Sequence, residues 1–355
     1  MSTSRVSGSR ASMTTVPAGR PDAALVTLVI AGFDVAPYAR EALESVQAQT
    51  FTGWRAILID DHSTDGTREI FAKAAGSDNR FTFVPQPERR GLGVARNAGL
   101  DRVRTPFVGF LDADDVLLPG ALERLVGTLE RTGSDFVAGA YARLRPRSGV
   151  EHDADMSTTV ITGTAYEVGA VQSWVAAATD PERSATTIDE HPEASGNIVA
   201  WSKVSRTDFW VRSGLRFPEG RLYEDQVVAQ AMYARARAFD VIPDVVVHWR
   251  VRPDGSSITQ REAELPVLRD ALDAMGAGLS ILREASATRA VQARAALILT
   301  MDVPRLASIA REHPEDAYRR ALGAFVREVW DVADESTRGH VGRETAIIID
   351  AASLW

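Results

Sequence analysis

Residues 107–115 read FVGFLDADD, an apolar run that ends in a cluster of carboxylates. The apolar part is short and bounded, which predicts a buried strand. Carboxylates crowded at the end of such a strand repel one another, and a divalent cation relieves that repulsion. Oxygen ligands of this kind suit Mg²⁺ or Mn²⁺, which leave positions open for phosphate oxygens. The stretch therefore predicts a metal site, although a solvated turn before the next helix explains it equally well when it is taken alone.

Strands and helices alternate on both sides of this stretch. Apolar runs predict strands at 25–30, 54–59, 81–84, 106–111 and 135–141, and helical spacing predicts helices at 36–47, 68–75, 91–103 and 119–129. Such alternation is typical of an α/β fold in which a mostly parallel sheet has helices on both faces. Ligands bind these sheets beyond the carboxyl ends of the strands. Because Asp34, Asp60-Asp61 and Asp112 all follow strand ends, we expect a functional site at that edge.

Two segments near this edge are rich in polar side chains and glycine. Residues 60–67 read DDHSTDGT, in which a strand-end carboxylate can accept a hydrogen bond from a nucleotide base or a ribose hydroxyl. Ser63 and Thr64 are typical of helix caps, so capping and turn geometry alone are the alternative. Residues 89–97 read RRGLGVARN, where glycines allow close backbone approach and arginines can bind phosphate. An ordinary helix start is the alternative, since the chain has neither a dinucleotide fingerprint nor a P-loop.

Two later segments carry further candidates. Glu224 and Asp225 open a helical run, and a carboxylate there can act as a general base. Acidic residues also favour the N-terminus of a helix for electrostatic reasons, which is the alternative. Residues 248–252 read HWRVR at the end of a strand predicted at 241–251. Their side chains are either ligand contacts or ordinary solvated residues of that strand.

Taken in order along the chain, these segments resemble those of the family 2 glycosyltransferases. The matching residues are 29–34, 60–67, 91–97, 110–115, 201–203, 217–225 and 250–259. The resemblance implies the GT-A fold, an α/β fold with a Rossmann-like, mostly parallel central sheet flanked by helices, followed here by a helical C-terminal extension. The family's frequent Pro-x-Tyr-Asn stretch is replaced by residues 31–34, AGFD, and the Gln-x-x-Arg-Trp signature of processive synthases is missing. A non-processive enzyme is therefore expected.

The resemblance also implies a role for each matching residue. Residues implied in nucleotide-sugar binding are Ala31, Asp34, Asp60, Asp61, Arg90, Arg96, Asp112, Ala113, Arg250 and Arg252. Asp112 and Asp114 form the metal-binding pair for Mn²⁺ or Mg²⁺, with Asp114 the favoured direct ligand and His248 a further contact. Asp225 is the catalytic base, with Glu224 as its partner or substitute. Trp201 and Lys203 line the acceptor side.

The implied reaction is a metal-dependent, inverting transfer of a sugar from a nucleotide diphosphate to an acceptor hydroxyl. A uridine diphosphate donor is favoured, and the acceptor is a glycan, a polyol phosphate or a lipid-linked molecule of the cell envelope. Two alternatives stay open. One is an inactive, GT-A-like module that binds a nucleotide or a glycan. The other is a haloacid-dehalogenase-like phosphatase, which also places Asp-x-Asp after an apolar strand but on the first strand of the fold.

Length and composition limit the remaining possibilities. The chain has 355 residues and a formal net charge of −8, so broad nucleic-acid binding is disfavoured. It has no cysteine, which excludes thiolate chemistry. No apolar run is long enough to span a membrane. We expect a disordered tail at 1–22, a catalytic domain at 23–260 and a helical extension at 261–355. That extension packs onto the catalytic domain, mediates homo-oligomerisation or docks on a membrane. Cytoplasmic localisation is expected, with peripheral contact at the inner face of the membrane as an option.

Overall fold

A ten-stranded sheet forms the centre of the protein in a computed structural model that describes residues 24–147 and 166–355. The predicted disordered tail at 1–22 lies outside these residues. The strands are β1 (Val26–Gly32), β2 (Trp54–Asp60), β3 (Phe81–Pro85), β4 (Phe107–Asp112), β5 (Val116–Leu117), β6 (Phe136–Pro146), β7 (Tyr166–Val168), β8 (Arg183–Thr186), β9 (Lys203–Arg206) and β10 (Phe239–Arg250). Their order is β3-β2-β1-β4-β9-β6-β10-β5, with β7 paired to β6 and β8 to β10.

The sheet directions bring six strand ends to one edge. Strands β3, β2, β1 and β4 are parallel, and so are β6 and β10. The short strand β9 lies between these two groups and is antiparallel to both β4 and β6. Since β4 and β6 consequently run in the same direction, β1, β2, β3, β4, β6 and β10 all end at the same edge. The predicted α/β class is confirmed, and the antiparallel strands β5, β7, β8 and β9 make the sheet mixed.

Helices flank the sheet where the apolar spacing predicts them. In the first two thirds of the chain they are α1 (Ala36–Gln47), α2 (Thr67–Ser77), α3 (Leu92–Leu100), α4 (Ala121–Thr132), α5 (Ser173–Thr179), α6 (Thr207–Arg212) and α7 (Glu224–Arg235). In α4, Leu122, Leu125 and Leu129 are buried at helical spacing, and Gly133 ends the helix with a φ of 77°. Buried apolar stripes of this kind hold the helices against the sheet.

The C-terminal part of the chain is helical, as predicted. Its helices are α8 (Leu265–Glu284), α9 (Thr288–Leu297), α10 (Val303–Glu312), α11 (Asp316–Val332), α12 (Glu335–Gly339) and α13 (Arg343–Ser353), with a π-helical turn at Ile298–Asp302. One hydrophobic core extends from Val29 and Phe217 to Leu268, Leu322 and Ile349. The C-terminal helices therefore pack onto the sheet domain, while the boundary predicted at 260/261 stays a prediction. Within the described residues, no helix is long and apolar enough to cross a membrane.

Candidate active site

Three strand ends place the predicted donor-site residues side by side. Ala31 lies opposite Ile59 of β2 and opposite Asp112 of β4, and Asp60 lies opposite Gly32. Asp60 is fully buried; its Oδ1 accepts a hydrogen bond from the Ser63 amide at 3.1 Å, and no partner for its Oδ2 lies within the described residues. The parallel register thus groups Ala31, Asp60 and Asp112 at the carboxyl edge.

The loop after β1 and the loop after β2 are held together by short polar side chains. Asp34 has a φ of 48°, and its Oδ1 accepts a hydrogen bond from the Thr64 amide at 2.8 Å. In return, the Asp34 amide donates to Ser63 Oγ at 3.1 Å. Asp65 Oδ2 accepts from the Ala36 amide at 2.8 Å, at the start of α1. Ser63 and Thr64 therefore connect the two loops and do not cap the helix that follows them, α2, whose N-cap is a glycine without a side-chain cap.

Asp61 fixes the backbone of the loop that leads into α3. Its Oδ1 accepts a hydrogen bond from the Arg90 amide at 2.9 Å, and its Oδ2 accepts from the Gly91 amide at 2.8 Å. The side chain of Arg90 is exposed, whereas the neighbouring Arg89 lies over the ring of Phe33 at 3.8 Å. Asp61 consequently positions this loop, and its contact with a nucleotide base stays a prediction. Phe33 and Arg89 were not among the predicted site residues.

Arg96 connects the strand end of β4 to the start of α7. Its Nη2 donates to Asp112 Oδ1 at 2.5 Å and its Nη1 donates to Glu224 Oε1 at 2.5 Å, and its side chain is 2% exposed. Burial opposes the charge of Arg96, but Asp112, Glu224 and Asp225 more than offset this and raise its pKa. The predicted contact with the nucleotide is not tested. What the geometry provides is an ion-paired bridge between the two predicted carboxylate sites.

The segment before α7 is held by α3 through two close contacts. Asn97 Nδ2 donates to the Phe217 carbonyl at 2.9 Å, and Asn97 Oδ1 accepts from the Phe217 amide at 3.0 Å. A Cβ on Gly93 would lie 2.1 Å from the Pro218 carbonyl oxygen, so glycine is required for this approach. Residues 91–97 therefore position the segment that carries Glu224 and Asp225. Sequence reasoning matched the segment but assigned no role to Asn97 or Gly93.

Asp225 lies in the first turn of α7, two residues after Tyr223, whose φ is 60°. Burial raises the pKa of Asp225; the charges of Arg96 and Lys203 oppose the rise and that of Asp112 adds to it. Burial likewise raises the pKa of Glu224, against the charge of Arg96. No side chain among the described residues donates a hydrogen bond to Asp225. Its carboxylate is therefore available to accept a proton, while Glu224 is held by Arg96.

Asp114 and Arg252 form the other side of the strand-end cluster. Asp114 Oδ2 accepts from Arg252 Nε at 2.8 Å, and the Asp114 carbonyl accepts from Arg250 Nε at 2.7 Å. Arg250 also donates to Glu41 Oε2 at 2.6 Å. Arg250 and Arg252 thus bind carboxylate and carbonyl groups of the site, and their contact with a diphosphate stays a prediction.

The Asp112–Asp114 pair has the chemistry of a site for a hard cation. Each carboxylate gives one oxygen to an arginine, and within residues 24–147 and 166–355 no hydrogen bond engages Asp112 Oδ2 or Asp114 Oδ1. Burial raises the pKa of Asp112, and the charge of Asp114 adds to the rise, which shows that the two carboxylates repel each other. Two carboxylates fit a Mg²⁺ or Mn²⁺ ion whose other ligands are phosphate oxygens and water.

His248 does not join these carboxylates in the structure. It is half-buried in β10, opposite Val116 of β5 and Ala142 of β6. Among the described residues, no three His, Asp or Glu side chains converge as a ready metal site. The predicted third metal contact is therefore not brought together with Asp112 and Asp114 here.

Trp201 and Lys203 lie beneath the surface on the predicted acceptor side. Trp201 is 5% exposed and packs edge-on against Tyr141, with ring centroids 4.7 Å apart. Lys203 Nζ donates to the Asn197 carbonyl at 2.8 Å and to Asn197 Oδ1 at 2.7 Å. Burial lowers the pKa of Lys203 to about 7, against the charge of Asp225. Lys203 thus supports the floor of the site, and direct contact with an acceptor is not tested.

Part of the chain matches the sequence model of a known family. Residues 27–165 match the sequence model of "Glycosyl transferase family 2". The putative glycosyltransferase EpsH of Bacillus subtilis is 28% identical over 66% of this chain and 63% of its own length. The glycosyltransferase GlyA of Streptococcus pneumoniae is 23% identical over 70% of this chain and 33% of its own length. The putative teichuronic acid biosynthesis glycosyltransferase TuaG of B. subtilis is 36% identical over 33% of this chain and 47% of its own length. The matched region thus spans less than two thirds of each of these proteins.

Solved structures resemble the whole described fold. The crystal structure of S. aureus TarS 1–349 in complex with UDP-GlcNAc has a TM-score of 0.70 and 18% identity, over 93% of this chain and 87% of that chain. The mannosyltransferase PcManGT from Pyrobaculum calidifontis, in complex with GDP-Man and Mn²⁺, has a TM-score of 0.52 and 18% identity, over 94% and 88%. The predicted GT-A fold with a helical C-terminal part is confirmed.

Proposed function

We propose that this protein is an inverting glycosyltransferase that moves a sugar from a nucleotide diphosphate to an acceptor hydroxyl, and the match of residues 27–165 to the glycosyl transferase family 2 model supports this. One observation carries the proposal: Arg96 binds both Asp112, at the predicted donor site, and Glu224, next to the predicted base. A donor site and a base on one rigid connection are what a single displacement requires. The family match leaves the phosphatase alternative without support.

The donor side of the proposed complex uses the strand ends. Ala31, Asp34, Asp60 and Asp61 line the place of the nucleoside, and Arg250 and Arg252 face its diphosphate. Asp112 and Asp114 would hold a Mn²⁺ or Mg²⁺ ion, which would offset the negative charge of the bound diphosphate. A uridine nucleotide is favoured, supported by TarS in complex with UDP-GlcNAc and by a relative whose name specifies UDP-Glc.

Asp225 acts as the general base of the proposed reaction. Its carboxylate takes the proton of the acceptor hydroxyl while that oxygen attacks the anomeric carbon, whose bond to the diphosphate oxygen breaks. The configuration at that carbon inverts and no covalent intermediate forms. Glu224 is held by Arg96 and orients the turn. The names of two relatives, which refer to teichuronic acid and to a diphosphoundecaprenol-linked sugar, support an acceptor of the cell envelope.

The test is a comparison of donor binding and transfer. Asp225→Asn is expected to bind UDP-sugar as the wild type does and to lose about 10²- to 10⁴-fold in kcat. Asp208→Asn is the control, because Asp208 has a 77% exposed side chain on α6. Near-normal transfer by Asp225→Asn would reject the assignment of the base. Failure of the wild type to hydrolyse or transfer any nucleotide sugar, with binding retained, would favour the inactive-module alternative.

A further inference from the structure

A cation stacked on tryptophans lies at the carboxyl end of β6, outside the donor site. The guanidinium carbon of Arg143 lies 5.0 Å from the ring centre of Trp249 and 5.9 Å from that of Trp174. Arg143 is directly opposite Trp249 in the β6–β10 register. The ring centres of Trp249 and Trp201 are in turn 6.4 Å apart, and Trp201 packs on Tyr141. These five side chains form a basic, aromatic cluster that we call the tryptophan platform; Arg143, Trp174 and Trp249 are half-buried, and Trp201 and Tyr141 are buried beneath them.

Arg143 differs from the other half-buried or buried arginines near the site in whether a carboxylate pairs with it. Arg96, Arg250 and Arg252 each form a salt bridge with a carboxylate. For Arg143, no salt bridge forms within residues 24–147 and 166–355. Gln172 is a polar neighbour of Arg143. When the Gln172 amide is turned so that its oxygen faces Arg143, that oxygen accepts from the guanidinium at 3.1 to 3.2 Å. A cation that is half-buried without a counter-charge attracts an anion.

Two further arginines lie close enough to Arg143 to influence its pKa. Burial lowers the pKa of Arg143, and the charges of Arg145 on the same strand and of Arg305 on α10 lower it further. Arg143 and Arg145 are two residues apart on β6, so their side chains leave the same face of the sheet. Because Arg305 is itself paired with Glu262 and Asp302, its charge is largely offset, and Arg145, whose side chain is exposed, adds its charge to that of Arg143 at the platform.

The platform adjoins the proposed base. Tyr141 precedes Arg143 by two residues and lies on the same face of β6. Burial raises the pKa of Tyr141 to about 12; the charge of Asp225 adds to the rise and the charges of Arg143 and Arg294 oppose it, so Asp225 and Arg143 both lie within electrostatic range of Tyr141. An acceptor hydroxyl at Asp225 would place the neighbouring unit of the acceptor over the platform.

We propose that the tryptophan platform is the acceptor subsite and that Arg143 binds an anionic group, a phosphodiester or a carboxylate, one unit away from the attacking hydroxyl. The proposal rests on the proposed glycosyl transfer and specifies its substrate class. A guanidinium offers two parallel N–H donors to such an oxyanion, and the indole rings pack against the sugar or polyol carbon atoms. The stacked arrangement fixes the guanidinium before binding, which limits the entropy lost on binding.

Acceptor binding can be measured without turnover. Calorimetric titrations of the wild type in the presence of UDP would use a glycerol phosphate trimer, a galacturonic acid trimer and a neutral maltotriose. We expect one or both anionic oligomers to bind at least about 10-fold more tightly than the neutral one. Arg143→Gln should weaken anionic binding by roughly 10- to 100-fold and leave neutral binding unchanged. Arg143→Lys should recover only part of it, because an ammonium cannot bind bidentately.

The control is Arg55→Gln, an exposed arginine near the amino-terminal end of β2, away from the carboxyl edge. Tighter binding of the phosphate oligomer identifies a polyol-phosphate acceptor, and tighter binding of the uronide identifies an acidic glycan. Equal binding of all three oligomers, or equal effects of Arg143→Gln and Arg55→Gln, would overturn the proposal. UDP release from UDP-sugars, measured separately with Arg143→Gln, tests the proposed transfer function independently, since Arg143 is outside the donor site.

Discussion

Asp114 is the single side chain on which the metal assignment depends most. Asp114→Asn keeps the size of the side chain but removes the charge that faces Arg252 at 2.8 Å. We expect the variant to lose the part of UDP affinity that depends on Mn²⁺, about 10-fold or more, because a carboxylate ligand is lost. Calorimetry with UDP, with and without Mn²⁺, measures this, and Asp254→Asn serves as an exposed acidic control. An unchanged Mn²⁺ dependence would show that Asp114 does not bind the metal.

The protonation of Asp225 predicts the acidic limit of activity. A general base works only when it is deprotonated, and burial raises the pKa of Asp225 above its ordinary value of 3.8. As the pH falls through that raised pKa, kcat should fall about tenfold per pH unit once most of the base is protonated. A kcat profile from pH 4 to 8 with saturating donor would locate the limit. A kcat that stays constant down to pH 4 would mean that the titrating group is not buried Asp225.

The sequence predicts which types of residue are candidates for the site, but it does not predict which residues they contact. The acidic strand ends and the Glu224-Asp225 pair could be singled out as candidates from the sequence, because several carboxylates are crowded at positions where a parallel sheet binds its ligands. The role of Arg96 was not predictable, since its two carboxylate partners lie 16 and 128 residues away and only the folded chain brings them together. The same holds for Asp61, whose oxygens accept from two amides of a loop about 30 residues later.

Between elements, the contact of α3 with the segment before α7 predicts a sharp effect of one methyl group. Gly93→Ala would place a Cβ 2.1 Å from the Pro218 carbonyl oxygen, which is backbone and cannot rotate away. We expect a loss of about 1–3 kcal/mol in the free energy of unfolding and a lower kcat, because the segment that carries Asp225 must move. Urea denaturation and transfer assays measure the two effects.

Gly76 on α2 is the matched control for this substitution. A Cβ there would meet no atom within 4 Å, so Gly76→Ala should be neutral or stabilise the protein by about 0.5–1 kcal/mol. If Gly93→Ala were as stable and active as Gly76→Ala, the close approach of α3 to Pro218 would not matter for the site.

The elements that sequence pattern predicts are those with a strong internal period. Strands β1, β2 and β4 and helices α1 and α4 have long apolar runs or stripes, and their bounds differ from the predicted ones by at most three residues. Strand β9 has only four residues, and its place between β4 and β6 depends on pairings with distant strands. A four-residue strand has too little pattern of its own to be predicted.

At the scale of the whole molecule, the shared core indicates that the C-terminal helices and the sheet domain unfold together. Buried residues of both parts belong to one hydrophobic cluster, so neither part can lose its partner without exposing apolar surface. We expect one cooperative thermal transition for the whole chain by calorimetry. A truncation after residue 264 should aggregate or bind a hydrophobic dye. Two well-separated transitions would instead support independent domains divided near residue 260.

The C-terminal helices also support the proposed base through α8. Asp270 accepts hydrogen bonds from Arg221 Nη1 at 3.0 Å and from the Leu222 amide at 3.1 Å. Leu222 lies three residues before Asp225 in the sequence. Asp270→Ala should therefore lower kcat by about 10-fold with little change in the KM of the donor, because it loosens the backbone that holds the base and leaves the donor site intact. Asp273→Ala is the matched control: Asp273 is one turn away on α8, touches only Arg221, and is 66% exposed. If both variants kept the wild-type kcat, α8 would stabilise the fold without positioning Asp225. If Asp270→Ala changed only the KM of the donor, α8 would act on the nucleotide site and not on the base.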